Sequence, residues 1–408
     1  MRRLISLLCL VLALVSCQKP LFDTLPRWKQ PLRRGGPFGL VSQPDSPAPD
    51  QVPRHGLYLS GLRFPEGVDW RAGDFSGAQA VLWQDSVERV SVPAAPEPDR
   101  LRIWDGDLWT DRVLDGETVV YCNGTERLRY PGEEVLRGFL LAGGEVHTLG
   151  QRPGNGGVCY RVDGTEVFAS AQGVVLGATG DPAWEGGALM RDSTGVYFVY
   201  GIPVRRGEED WTWEYRVMRG AEEVRLVSAL PGTGRVWDIR VRNGTVWRCE
   251  QRGADGESLS LVKEDLSLSL GLNRDDRVHL CKLLPVGDRM MVRGYSQDGS
   301  WIMHWVRGNG GRPFTENRRD VQELYVDGNT RALVTTNTDG SVAWLFQDQY
   351  QTLVEPGFRL DGRGCGAYAG GRFAVALTAV SGNRHLVVVN GAAYALEFNG
   401  FFTSLKFY

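Results

Sequence analysis

The chain has 408 residues, a formal charge of −3, 42% hydrophobic and 23% charged residues. That balance excludes overall disorder and a strongly basic nucleic-acid binder. Its 52 Gly and 13 Trp against 6 Met favour aromatic strands joined by many tight turns over a helical bundle.

Arg2 and Arg3 precede an apolar run from Leu4 to Val15, a charged n-region and an h-region too short to remain as a membrane span. Leu14-Val15-Ser16-Cys17 resembles the lipobox of bacterial lipoproteins. The resemblance implies removal of residues 1–16 and lipidation of the Cys17 thiol. Each buried lipid methylene adds roughly 0.8 kcal/mol, so lipid on Cys17 would hold the chain on a membrane without a transmembrane helix. The expected address is the bacterial cell envelope, lipid-anchored at the outer membrane, facing either the periplasm or the cell surface. Residues 17–54 carry Pro20, Pro26, Pro31, Pro37, Pro44, Pro47, Pro49 and Pro53, a density that opposes helix and sheet and predicts an extended tether. Its early stretch is basic, with Arg27, Lys29, Arg33 and Arg34. A solvated spacer explains that, as would contact with anionic head groups.

From residue 55 a repeat sets in. An apolar or aromatic strand runs into a two-residue turn, as at Ala80–Trp83 before Gln84-Asp85 and Val119–Cys122 before Asn123-Gly124. The same pattern follows at Val158–Arg161 before Asp163-Gly164, Glu214–Val217 before Arg219-Gly220, and Leu259–Val262 before Glu264-Asp265. It ends with Met303–Val306 before Arg307-Gly308, Ala343–Phe346 before Gln347-Asp348, and Leu386–Val389 before Asn390-Gly391. Asn-Gly and Asp-Gly are strong hairpin signals because both central residues of a type I′ turn need positive φ.

Two further strands precede each instance, for example Trp237–Val241 or Glu323–Val326 and then Gly195–Gly201 or Arg289–Gly294. One unit is therefore a four-stranded antiparallel meander. Stacking such units around an axis buries their faces, and closing the ring limits open edges. The expected fold is an all-β propeller over residues 55–408. Residues His55–Leu62 read as a second strand lacking its first, and Phe401–Tyr408 as a first strand lacking the rest. Joining them completes eight four-stranded blades; the count is seven if the unit turning at Glu264-Asp265 is not a blade.

Val196–Gly201 and Val119–Gly124 resemble the repeats "V-Y-V-x-G … Y-W-x-N-G" of Bacteroidetes envelope lipoproteins. Those motifs are structural and imply no active site. Gln18-Lys19-Pro20 departs from the acidic run that favours surface export in that group. Trp104-Asp105 and Trp237-Asp238 fall in first strands without an accompanying Gly-His, so they are not WD40 signatures.

Chemistry is sparse. There is no CxxC, HxxxH, G-x-S-x-G, P-loop or dinucleotide fingerprint, so no metal, cofactor or catalytic residue is assigned. Cys122 and Cys159 fall in equivalent third strands, Cys249 and Cys281 in successive units; both core thiols and disulfides fit. Long connections carry more information, because function concentrates on loops held by rigid scaffolds. Three lie on one face: Leu62–Ala78 with Asp69, Trp70 and Arg71; Ala171–Gly186 with Asp181, Trp184 and Glu185; and Ile202–Trp211 with Arg205, Arg206, Glu208, Glu209, Asp210 and Trp211. Tryptophan beside carboxylates and arginines suits stacking on a sugar ring while binding its hydroxyls; the same tryptophans would equally serve as local cores under their loops. The expected role is a binding or interaction module for carbohydrate or an envelope protein. The alternative is a carbohydrate-active enzyme using Glu208, Glu209 and Asp210 as its acids.

Overall fold

The turn dipeptides show why the sheets form where they do. Asn123, Asp163 and Asn390 have φ of 48°, 47° and 47°, each followed by a glycine at φ 82°, 79° and 84°, the left-handed pair that a type I′ turn demands. The side chains do a second job. The Oδ1 atoms of Asp85, Asn123, Asp163 and Asn390 accept the backbone N–H of Leu57, Leu108, Val146 and Phe373 at 2.8–3.0 Å. Glu264 reaches Val246 N–H in the same way at 2.9 Å. The N–H of each of these five turn residues donates back to the carbonyl of the same partner. Each such turn is thus latched to the start of its blade's second strand.

The computed structural model describes residues 56–94, 101–154, 156–176, 187–205, 211–228, 233–252, 258–264, 266–269, 278–286, 289–296, 302–306, 314–318, 321–327, 330–336, 339–346, 349–361, 363–369 and 371–408. They form eight antiparallel sheets. Blade 1 orders Gly400–Phe407, Leu57–Arg63, Gln79–Gln84 and Val87–Pro93. The chain's end therefore supplies strand one and its start strand two. Blade 2 is Leu101–Trp104, Asp107–Leu114, Glu117–Cys122 and Thr125–Pro131. Blade 3 is Val135–Ala142, Glu145–Gln151, Val158–Val162 and Thr165–Ser170. In blade 4, Val174–Leu176 and Met190–Asp192 both pair with Gly195–Arg205, followed by Trp211–Arg219 and Glu222–Ser228.

Blades 5 to 7 span Thr233–Arg242 to Leu266–Ser269, Val278–Val286 to Phe314–Arg318, and Val321–Asp327 to Gln349–Val354. Blade 8 repeats the broken first strand, with Phe358–Leu360 and Gly366–Ala369 pairing Arg372–Ala379, then Arg384–Val389 and Ala392–Glu397. Ser258–Lys263 is a third strand like the others, so the unit turning at Glu264 is a blade and the count is eight. In blade 6 Val306 pairs with Phe314, and the turn expected at Arg307-Gly308 lies outside the described residues.

Apolar side chains interlock between blades. Trp109, Val120 and Tyr130 of blade 2 meet Leu136, Phe139 and Val146 of blade 3; Val199 and Val217 of blade 4 meet Ile239 and Val246 of blade 5. At the closure Trp83, Leu59, Phe402 and Leu405 of blade 1 pack on Ala376 and Val387 of blade 8. First strands of successive blades touch, as Gly366–Ala369 does Gly400–Phe407 and Thr233–Arg242 does Val278–Val286, which places them innermost.

Asp361 lies in the break of blade 8's first strand and ties blade 8 to the closing strand. Its carboxyl accepts Phe402 N–H at 3.0 Å and meets the Thr378 hydroxyl, which also meets His385 Nδ1 at 2.8 Å. His385 Nε2 faces the Phe398 carbonyl at 2.9 Å; a carbonyl only accepts, so Nε2 carries the ring proton. One hydroxyl proton cannot serve both the Asp361 oxygen and a bare Nδ1, so the bridge is complete only with one further proton. Burial pushes Asp361 up to about 6, against the pull of its two donors, and burial with Arg71 nearby brings His385 down to about 4.

The signs oppose. Between pH 6 and about 4 the folded state holds the Asp361 proton more tightly, so acidification stabilises. Between 6.5 and 4 the unfolded state protonates His385 more readily, so acidification destabilises. We therefore expect Asp361→Asn to lose about 3 kcal/mol relative to the parent on going from pH 7 to pH 4, and His385→Asn to gain a similar amount. Urea midpoints at both pH values test this; variants whose pH dependence matches the parent's would refute it.

Candidate functional site

Strand direction divides the molecule into two faces. Second-to-third and blade-to-blade connections form a loop face; first-to-second and third-to-fourth turns form a turn face.

On the loop face Trp70 sits in a short 3-10 turn, Trp70–Ala72, and is 8% exposed. Its ring lies 5.0 Å from Phe401 and 6.4 Å from Phe64, while the Arg71 guanidinium sits 4.2 Å from its centroid. Arg71 itself donates to the carbonyls of Ala379 (3.1 Å) and Gly382 (2.6 Å) in blade 8. Trp70 is the core of its own loop and Arg71 pins that loop to the neighbouring blade. Neither presents the open face that sugar stacking needs.

The Ile202–Trp211 loop is largely a hairpin. Ile202, Pro203, Val204 and Arg205 pair with Glu214, Trp213, Thr212 and Trp211. The fourth strand pairs only as far as Glu214, so Trp213 and its partner Pro203 lie beyond that pairing. Trp213, which sequence reasoning missed, is 41% exposed there and stacks on Tyr215 at 6.3 Å. Gly201 permits this approach, because a Cβ would lie 2.9–3.0 Å from both rings. The available signal was the Trp-x-Trp spacing of Trp211 and Trp213, since residues two apart share a face in an ideal strand. Asp181, Trp184, Glu185, Arg206, Glu208, Glu209 and Asp210 lie outside the described residues.

The turn face holds a cleft of about 450 Å³ lined by residues of blades 1 to 4. Trp104, Trp109 and Tyr408 line it with Arg127, Arg191 and Asp105. The Tyr408 hydroxyl accepts Asp105 N–H at 3.0 Å and donates to the Ile103 carbonyl at 3.2 Å, fixing one wall. Lys406 Nζ stands 5.3 Å from the Trp104 ring centre. Arg191 spends one long bond, 3.4 Å, on the Leu141 carbonyl. Trp109 is 4% exposed, and its indole N–H has no acceptor among the described residues.

Between blades 2 and 3 lies a buried ionic cluster. Glu134 accepts Arg161 Nη2 at 3.1 Å, Arg161 also reaches Glu166 at 3.2 Å, and its guanidinium covers the Tyr130 ring at 4.5 Å. Cys159 joins through Sγ, which donates to Glu166 at 3.3 Å. Burial, reinforced by Glu134, pushes this thiol up to about 12, so it is protonated and unreactive at neutral pH. Cys122, Cys249 and Cys365 also occur as thiols. No three His, Cys, Asp or Glu side chains among the described residues gather as a metal site would require.

No family model matches the chain and no curated protein matches it. Among solved structures it is similar to the computationally designed Ika8 protein, with TM-score 0.44 and 15% identity over 76% of this chain and 89% of that one. It is also similar to BamB from Moraxella catarrhalis, with TM-score 0.38 and 13% identity over 75% of this chain and 93% of that one. A europium-containing methanol dehydrogenase gives TM-score 0.42 and 11% identity over 80% and 81%. Likenesses at this distance carry no argument about function, and the eight-bladed propeller rests on this chain's own sheets.

Proposed function

We propose that the chain is an exported, lipid-anchored propeller that serves as a binding module, taking carbohydrate on its loop face. The observation that carries this reading is the blade 4 hairpin, which holds Trp213 out from the ring with Tyr215 stacked behind it. An indole backed by a second ring is a rigid platform, and large aromatic side chains dominate recognition surfaces because they bind with little loss of conformational freedom. The lipobox resemblance at Cys17 supports anchoring, and the closed ring supplies the rigid base.

The test uses membranes from cells expressing the full chain. Cys17→Ser is expected to move the protein out of the membrane fraction. The anchored parent is expected to retain an oligosaccharide from a glycan panel, and Trp213→Ala to lose at least tenfold in affinity with an unchanged melting temperature. Retention of every glycan by Trp213→Ala would overturn the loop-face reading. Binding of no glycan would replace carbohydrate with a protein partner, sought by cross-linking in the native envelope.

A further inference from the structure

We propose that the turn-face cleft is a second ligand site and that its ligand is an anionic saccharide, a sugar ring bearing a carboxylate or a phosphate. The site lies on the face opposite Trp213 and is independent of the loop-face reading. Its volume of about 450 Å³ falls within the roughly 300–1,000 Å³ of small-molecule sites.

Three features specify the ligand class. First, the walls are aromatic. Trp104 and Tyr408 line the cleft, and Tyr408 is held by two hydrogen bonds to blade 2, so a sugar ring would meet a fixed aromatic edge there, with Lys406 lying over the Trp104 ring. Second, Trp109 offers an indole N–H that is buried without an acceptor. A buried donor left unpaired is unfavourable, and a ligand oxygen met by a small turn of the ring toward the cleft would supply an acceptor. Third, the charge is positive. Arg127 is exposed and makes no ion pair among the described residues, Arg191 makes only its long bond to Leu141, and Lys406 stands beside Trp104. Guanidinium groups match carboxylate and phosphate bidentately. Asp105 is the one acid lining the cleft. Its negative charge disfavours a bare anion, so the site favours an anion carried on a polyol over the anion alone.

Isothermal titration of the full chain in detergent, against glucuronic acid, glucose 6-phosphate, glucose and inorganic phosphate, tests this. One or both anionic sugars are expected to bind at least tenfold more tightly than glucose and inorganic phosphate, and the preferred one identifies the anion. Arg127→Gln and Arg191→Gln change exposed side chains and are expected to keep the parent melting temperature while each weakening binding tenfold or more. Trp213→Ala is expected to leave this binding intact, which separates the site from the loop face. The proposal fails if neither anionic sugar binds, if glucose or phosphate binds as well as they do, or if both arginine variants bind like the parent.

Discussion

A chain ending at Asn399 is expected to lose its cooperative unfolding transition. The missing strand, Gly400–Phe407, is the inner strand of blade 1 and pairs along the full length of Leu57–Arg63. It carries Phe402 and Leu405, 1% and 2% exposed, into the core shared with blade 8, where Phe402 packs edge-on to Trp83 at 5.9 Å and to His385 at 5.3 Å. Ser60 and Thr403 add a hydroxyl pair at 2.9 Å, and Asp361 holds Phe402 N–H. Phe402→Ala alone removes a buried ring and should cost about 3–5 kcal/mol. The deletion also unpairs a strand and opens a blade interface. Its cost should therefore approach the whole stability of an ordinary fold, about 5–15 kcal/mol. Circular dichroism on heating reads both variants; a deletion with the parent's melting point would show that blade 1 does not close the ring.

Asp238→Ala should cost about 3–5 kcal/mol through a different mechanism. Asp238, 3% exposed, accepts Arg240 Nε at 3.1 Å and the Leu283 N–H of blade 6 at 3.0 Å. Arg240, 1% exposed, donates in turn to the Gly187 carbonyl of blade 4 at 3.1 Å. One carboxylate thus links three blades. Removing it takes the countercharge from a buried guanidinium and one acceptor from Leu283 N–H. Replacing both partners with apolar residues, as in Asp238→Leu with Arg240→Met, should recover much of the loss, because an apolar pair leaves no unpaired charge. Chemical denaturation of the single and double variants distinguishes the two costs. A double variant no more stable than Asp238→Ala would show that the carboxylate acts by something other than neutralising Arg240.

The blades were legible because their signals are local. A two-residue turn demands positive φ, few residues supply it, and Asn123-Gly124, Asp163-Gly164 and Asn390-Gly391 supply it beside aromatic strands. Closure was legible from the incomplete units at the two ends. The turn latches were not, because nothing in Asn123 itself indicates that its side chain crosses to Leu108. Trp70 shows the same limit at a candidate site. Tryptophan beside arginine reads alike whether the ring faces solvent or core, and the decision came from Phe401, at the other end of the chain, and from two carbonyls of blade 8. The turn-face cleft left no signature at all, since its walls come from four blades, from Trp104 to Tyr408.

The place where the chain enters the ring has a mechanical consequence. Gly56 exchanges backbone hydrogen bonds with Tyr408, and the strand that follows, Leu57–Arg63, has a neighbour on each side. A pull transmitted through the preceding residues would load that strand along its axis. Its ladders run perpendicular to the strands, so their hydrogen bonds share the load in shear. An edge strand pulled sideways would instead lose its bonds in succession, like a zip. Were the chain held through the residues before Gly56, entry at strand two of the closing blade would load the ring in shear at its own seam, and the loop face would point away from the point of traction.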